Sequence, residues 1–213
     1  MINAEDNIRE IITDPTGMAY RKEFEGRDKP YDILDFQEKT IIEYSNRYHL
    51  GVTLIYDVPL LDIVAKYERQ AAENTGDKYT GAGYTYQISI DLYCQLLEKA
   101  GLASDDEPEL LICTCLTDGC WPLLVTIEET DTGIKWSNFH NHHRSGNDED
   151  SWDYSCFPAY EFEKQAYYEA LEKLRMIVEL QSEIFGKPIN KEILRLRRLY
   201  SEIRADAIQK TQQ

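Results

Sequence analysis

Between residues 110 and 140, apolar side chains return at every second position in three successive runs. Leu111, Cys113 and Cys115 fall on one face of the first run, and Leu123, Val125 and Ile127 on one face of the second. Ile134 and Trp136 open a third after the turn at Thr130 to Gly133. A period of two sends successive side chains to opposite faces, so each run reads as a strand with one side on a core. Short connections join neighbouring strands antiparallel, and the segment is expected to be an antiparallel meander. Tyr160 and Phe162 add a further extended stretch after the polar loop Ser145 to Ser151. A helix is expected from Glu163 to about Phe185, ended by Gly186 and Pro188.

Helical periods flank this core. Gly51 to Asp57 is β-branched and aromatic enough for a strand. Asp57 can then cap a helix opened by Pro59, with Leu60, Val64, Tyr67 and Ala71 at helical spacing. Glu73 to Tyr86 is turn-rich and reads as a loop, and Gly81-Ala82-Gly83 lacks the strand-glycine-helix context of a phosphate-binding loop. Ser89 to Ala100 gives a second helix with Ile90, Tyr93 and Leu97 on one face and Gly101 as its stop. Residues 1–50 carry the weakest pattern, with a short helix expected around Ile8 to Ile12. The expected fold class is α+β: an antiparallel β-meander packed against several helices, with a C-terminal helical extension. Residues 1–186 are expected to form one domain and 187–213 a basic helical tail, whose Ile193, Leu196, Tyr200, Ile203 and Ala207 make a packing seam.

The chain of 213 residues carries 39 acidic against 23 basic side chains, a net charge of −16. The tail holds seven basic residues and three acids, +4, which leaves −20 on the rest. Phosphate recognition is built on Lys and Arg, so nucleic acid is an unlikely partner for most of this surface. A basic protein partner, or self-association through the C-terminal helix, fits the charge and the seam better. Met1 is followed by polar and acidic residues, and no run approaches the ~20 apolar residues of a membrane span. A cytoplasmic protein with reduced thiols is expected, consistent with an odd count of five cysteines.

Cys113-x-Cys115-x4-Cys120 supplies three soft ligands in eight residues, between two strands. His140, His142 and His143 lie just past the third strand, where antiparallel pairing can return one imidazole to them. Cys113, Cys115, Cys120 and His143 would make a closed tetrahedral zinc site. The alternative is that Cys113 and Cys115 are core residues beside Leu111. For a redox thiol, nothing basic flanks the cysteines in sequence. Trp121, Trp136 and Trp152, with the acidic run Asp148, Glu149 and Asp150, are the candidate contact residues for a partner.

From Leu110 to Leu171 these motifs fall in one order: ICTCLTDGCWPLL, Trp136-Ser137-Asn138-Phe139, His142-His143-Arg144, Trp152-Asp153-Tyr154, then Tyr160-Glu161-Phe162 and Tyr167. In order and spacing they resemble a family of uncharacterised bacterial proteins with the pattern C-x-C-G-x-x-G-C-W-P-L, W-x-x-F, P-H-R, W-D-Y and F-x-F. Leu116 stands where that pattern has glycine, and His142 where it has proline. The resemblance implies a single bacterial domain and assigns no activity. No H-E-x-x-H, G-x-S-x-G or phosphate loop is present, so a catalytic constellation is not complete. The expectation is a non-catalytic protein-binding domain of immunity or inhibitor type. The alternative is a zinc-stabilised domain or zinc-dependent enzyme using the Cys/His cluster.

Overall fold

The structure is a computed structural model and describes residues 31–43, 46–75, 83–99, 107–117, 119–144 and 152–185. The fold is α+β. A three-stranded sheet comprises β1 (Leu34–Glu43), β2 (Asn46–Ile55) and β3 (Val58–Pro59) in that order. A five-stranded sheet runs β4 (Tyr84–Tyr86), β5 (Glu109–Cys113), β6 (Leu123–Glu129), β7 (Gly133–His140) and β8 (Tyr160–Glu163). Every neighbouring pair in both sheets is antiparallel. The helices are α1 (Leu60–Thr75), α2 (Ser89–Lys99) and α3 (Lys164–Phe185).

The two sheets are joined at both margins. Past β4, Ile88 bridges Leu50 of β2, and the Gly51 amide donates to the Gln87 carbonyl. At the other margin Asp32 bridges Phe162 of β8, its amide donating to the Glu161 carbonyl while its carboxylate accepts from the Glu161 amide. The strand residues 50–55 are therefore buried on both faces. Trp136, Phe162 and Tyr167 pack edge-to-face at the centre. Gly133 is required where β7 meets β8, because a Cβ there would lie 2.3 Å from the Phe162 carbonyl oxygen.

The alternation that predicts the meander breaks at one place with consequence for the site. Ile134 and Trp136 face inward, but the next buried residue is Phe139, not Asn138. The β6–β7 register slips between Leu124/Thr126, and Asn138 takes a left-handed φ of 52°. A bulge of this kind inserts one residue and re-aims the side chains beyond it. It carries Phe139 into the core, and further on His143 comes against Gly119 of the β5–β6 connection.

Several expectations need correction. The strand at residues 51–57 begins earlier, at Asn46, and its long partner β1 lies in the stretch that showed no pattern. Asp57 does not cap a helix: with Tyr56 it makes a left-handed two-residue turn (φ 52° and 65°) into β3, and the helix starts at Leu60 after Pro59. The proposed loop from Glu73 to Tyr86 contains the end of α1 and the strand β4. Strand β5 stops at Cys113, so Cys115 lies in the turn and is exposed, against a core placement. The expected helix at Ile8 to Ile12, the loop 145–151 and the tail 187–213 lie outside the described residues. No described helix is long and apolar enough to cross a membrane.

Candidate metal centre

Strand β5 delivers Cys113 at its last residue, and the turn after it folds Cys115 and Cys120 back over that position. The Sγ atoms of Cys113, Cys115 and Cys120 all lie within 4.8 Å of one another. The turn is pinned by the Leu116 amide on the Cys113 carbonyl (2.9 Å) and the Cys120 amide on the Thr117 carbonyl (3.3 Å). The Gly119 amide also donates to the Glu109 carboxylate at 3.2 Å. Leu116 and Gly119 both take left-handed φ, 60° and 68°. A Cβ is disfavoured in that conformation, and Leu116 carries one there.

The Cys115 amide donates to Cys113 Sγ at 3.5 Å. Hydrogen bonds from Thr117 and then Cys113 hold the Cys115 thiol below its ordinary value, at about 7. Cys120 is pushed up to about 11 by its hydrogen bonds with Cys113 and Cys115. Cys115 is thus the more readily deprotonated of this pair, and the thiolate of Cys120 is opposed by its neighbours. A divalent cation held among the sulfurs would remove that opposition, because coordination deprotonates thiols outright. The activating influence on Cys115 is hydrogen bonding from within the turn; the sequence expectation had looked for a basic flank.

His143 stands beside this group without being among the ligand atoms within 4.8 Å. Its Nε2 lies 3.5 Å from the Gly119 carbonyl oxygen, and its ring stacks on Trp121 (centroids 5.2 Å apart, 2° between planes). The His143 amide donates to Asn141 Oδ1 at 2.9 Å, which fixes the backbone there. His142 lies against His143, and burial followed by the two neighbouring histidines lowers its pKa. His140 is turned away, with Nε2 3.3 Å from the Glu107 carboxylate.

Directly behind the thiol turn lies a buried polar cluster that sequence reading missed. Tyr84 pairs with Cys113 across β4–β5, and Asn141 Nδ2 donates to the Tyr84 hydroxyl at 2.7 Å. Tyr154 donates to Glu68 Oε1, while Glu68 Oε2 has no hydrogen-bond partner among the described residues. Glu68 has no exposed surface, and burial pushes its carboxyl up from an ordinary 4.5 to about 7, against the opposing pull of Tyr154, Arg144 and the nearby Tyr84 hydroxyl. Arg144 lies over Trp152, its guanidinium carbon 3.3 Å from the ring centroid, and 5.3 Å from that of Trp121. A signal was present: Leu60, Val64, Glu68 and Ala72 form a fully buried stripe of α1 with one carboxylate in it.

Of the other candidate contact residues, Trp136 is fully enclosed in the core and presents no surface to a partner, which corrects that expectation. Trp152 is also buried, under Arg144, and Trp121 is half-buried. Asp148, Glu149 and Asp150 lie outside the described residues. No known family model, curated protein or solved structure matches this chain.

Proposed function

We propose that this protein is a zinc-stabilised α+β domain whose Cys113, Cys115 and Cys120 thiolates hold one metal ion, with His143 as the fourth ligand. The observation that carries the reading is the convergence of three Sγ atoms within 4.8 Å from a strand end and a turn only eight residues long. Soft thiolates with one imidazole suit zinc among the divalent metals, and four protein ligands leave no open position for substrate. The ion's work is then structural: it ties the β5–β6 turn to the chain leaving β7. Metal analysis of protein purified without added metal is expected to give one zinc per chain, and chelator to lower its melting temperature. Absence of stoichiometric zinc together with unchanged melting would end the reading.

A second reading concerns what the stabilised domain does, and the charge distribution favours it. The chain outside 187–213 carries −20, which suits a non-catalytic domain that binds and blocks a basic protein, of immunity or inhibitor type. Capture from host extract at low salt is expected to recover a basic protein that is released at high salt. Recovery of no protein under either condition counts against it.

A further inference from the structure

A cleft of about 710 Å³ opens beside the end of β7, lined by residues 137–140, 152–155, Phe157 and Ala159. It is distinct from the thiol turn and uses neither a cysteine nor His143. Phe139, Trp152, Tyr154 and Phe157 give it an aromatic lining, held by Phe139 against Phe157 (4.8 Å) and by Tyr67 behind both Tyr154 and Phe157. Its wall carries the exposed carboxylate of Asp153, oriented by the Ser155 amide at 2.8 Å. Among the described residues no lysine or arginine lines it, Arg144 lies over its Trp152 ring at 3.3 Å, and the lining histidine His140 is engaged by Glu107. The Tyr67 hydroxyl holds the Asp153 carbonyl at 2.6 Å, so α1 fixes the segment that carries the carboxylate.

Resting on the reading of a domain that binds a basic protein, we propose that this cleft is the docking site for an arginine- or lysine-bearing segment of that partner. A long cationic side chain is amphipathic: its methylene stem covers apolar surface while its head seeks charge. The cleft offers both in the matching order, aromatic lining inside and the Asp153 carboxylate on the wall. The surrounding net charge of −16 steers cations toward it.

The test is titration of the full metal-loaded chain with a triarginine amide, with tricitrulline as the neutral isostere, monitored by calorimetry and by the indole signals of the tryptophans. Triarginine is expected to bind and to shift Trp152, and tricitrulline not to bind. Asp153→Asn should weaken binding about fivefold, the size of one charge-assisted contact. Asp131→Asn, which removes the same charge from the exposed β6–β7 turn, should change it less than twofold. Equal weakening by both variants would show a response to bulk charge and overturn the cleft, while leaving the basic-partner reading intact. Failure to recover any protein from host extract, with cleft binding as described, would overturn that reading and spare the cleft. Binding that strengthens more than fivefold when Arg195, Arg197 and Arg198 are all changed to Gln in the full chain would assign the cleft to the chain's own tail and overturn a foreign occupant.

Discussion

Replacing Glu68 by glutamine should make the domain more stable at neutral and alkaline pH, and the size of the effect is set by burial. The Glu68 side chain is fully enclosed, Tyr154 donates to one carboxylate oxygen, and the other has no partner among the described residues. Burial raises its pKa from 4.5 to about 7. Between these two values the folded protein keeps a proton that the unfolded chain has released. Stability contributed by this group is therefore full below about 4.5, declines as pH rises and is lost above about 7. A shift of about 2.5 pK corresponds to about 3 kcal/mol. Glutamine stays neutral and still accepts from Tyr154, but leaves an unpaired amide N–H, which costs about 1 kcal/mol. The net expectation is a gain of about 2 kcal/mol at pH 8, or roughly 4–8 °C in Tm. Near pH 4.5 it reverses to a loss of about 1 kcal/mol. Tyr84 and Tyr154, both raised by burial, and Arg144 face the same cluster and are common to both proteins, as is His142. Urea unfolding of the two proteins from pH 4.5 to 8 measures the difference. A difference that does not change with pH, or a variant less stable at pH 8, would rule out a carboxyl neutralised by burial and make Glu68 a charged partner of Arg144.

Two further substitutions test the packing and the turn. Leu116→Gly should be about 1 kcal/mol more stable than Leu116→Ala, because both lose the side chain that packs against the core and only glycine is free of strain at φ 60°; thermal unfolding reads it, and an alanine variant at least as stable would refute the strain. Trp136→Ala should cost about 3–5 kcal/mol as a core deletion, measured by urea unfolding. A cost below about 1 kcal/mol would mean that the ring does not belong to the core.

The meander was legible because β6 from Leu123 to Thr126 and β7 from Ile134 to Ser137 alternate between buried and half-buried positions. Strand β1 was not, since after Leu34 and Phe36 the residues 37–40 all face solvent and leave no periodic trace. Strand β4 is three residues long, too short to separate from the glycine-rich stretch before it. The thiol trio could be seen in its spacing, because a strand that runs into a tight turn must return the later cysteine to the earlier ones. Of the polar cluster behind it only Glu68 left a trace, in the stripe of α1: Glu68, Tyr84, Asn141 and Tyr154 come from four separate places in the chain, and only tertiary packing assembles them. Composition likewise could not say that Trp136 is enclosed while Trp121 keeps a partly open face, because large rings serve cores and interfaces alike.

The proposed zinc centre carries the most weight, and X-ray absorption at the zinc edge on the purified protein tests its ligands directly. One zinc per chain is expected, with about three sulfurs near 2.3 Å and one nitrogen near 2.0 Å, the sulfur count falling by one in Cys120→Ser and the nitrogen lost in His143→Ala. A metal shell of oxygen and nitrogen without sulfur, or a sulfur shell unmoved by Cys120→Ser, would contradict a centre built on these thiolates.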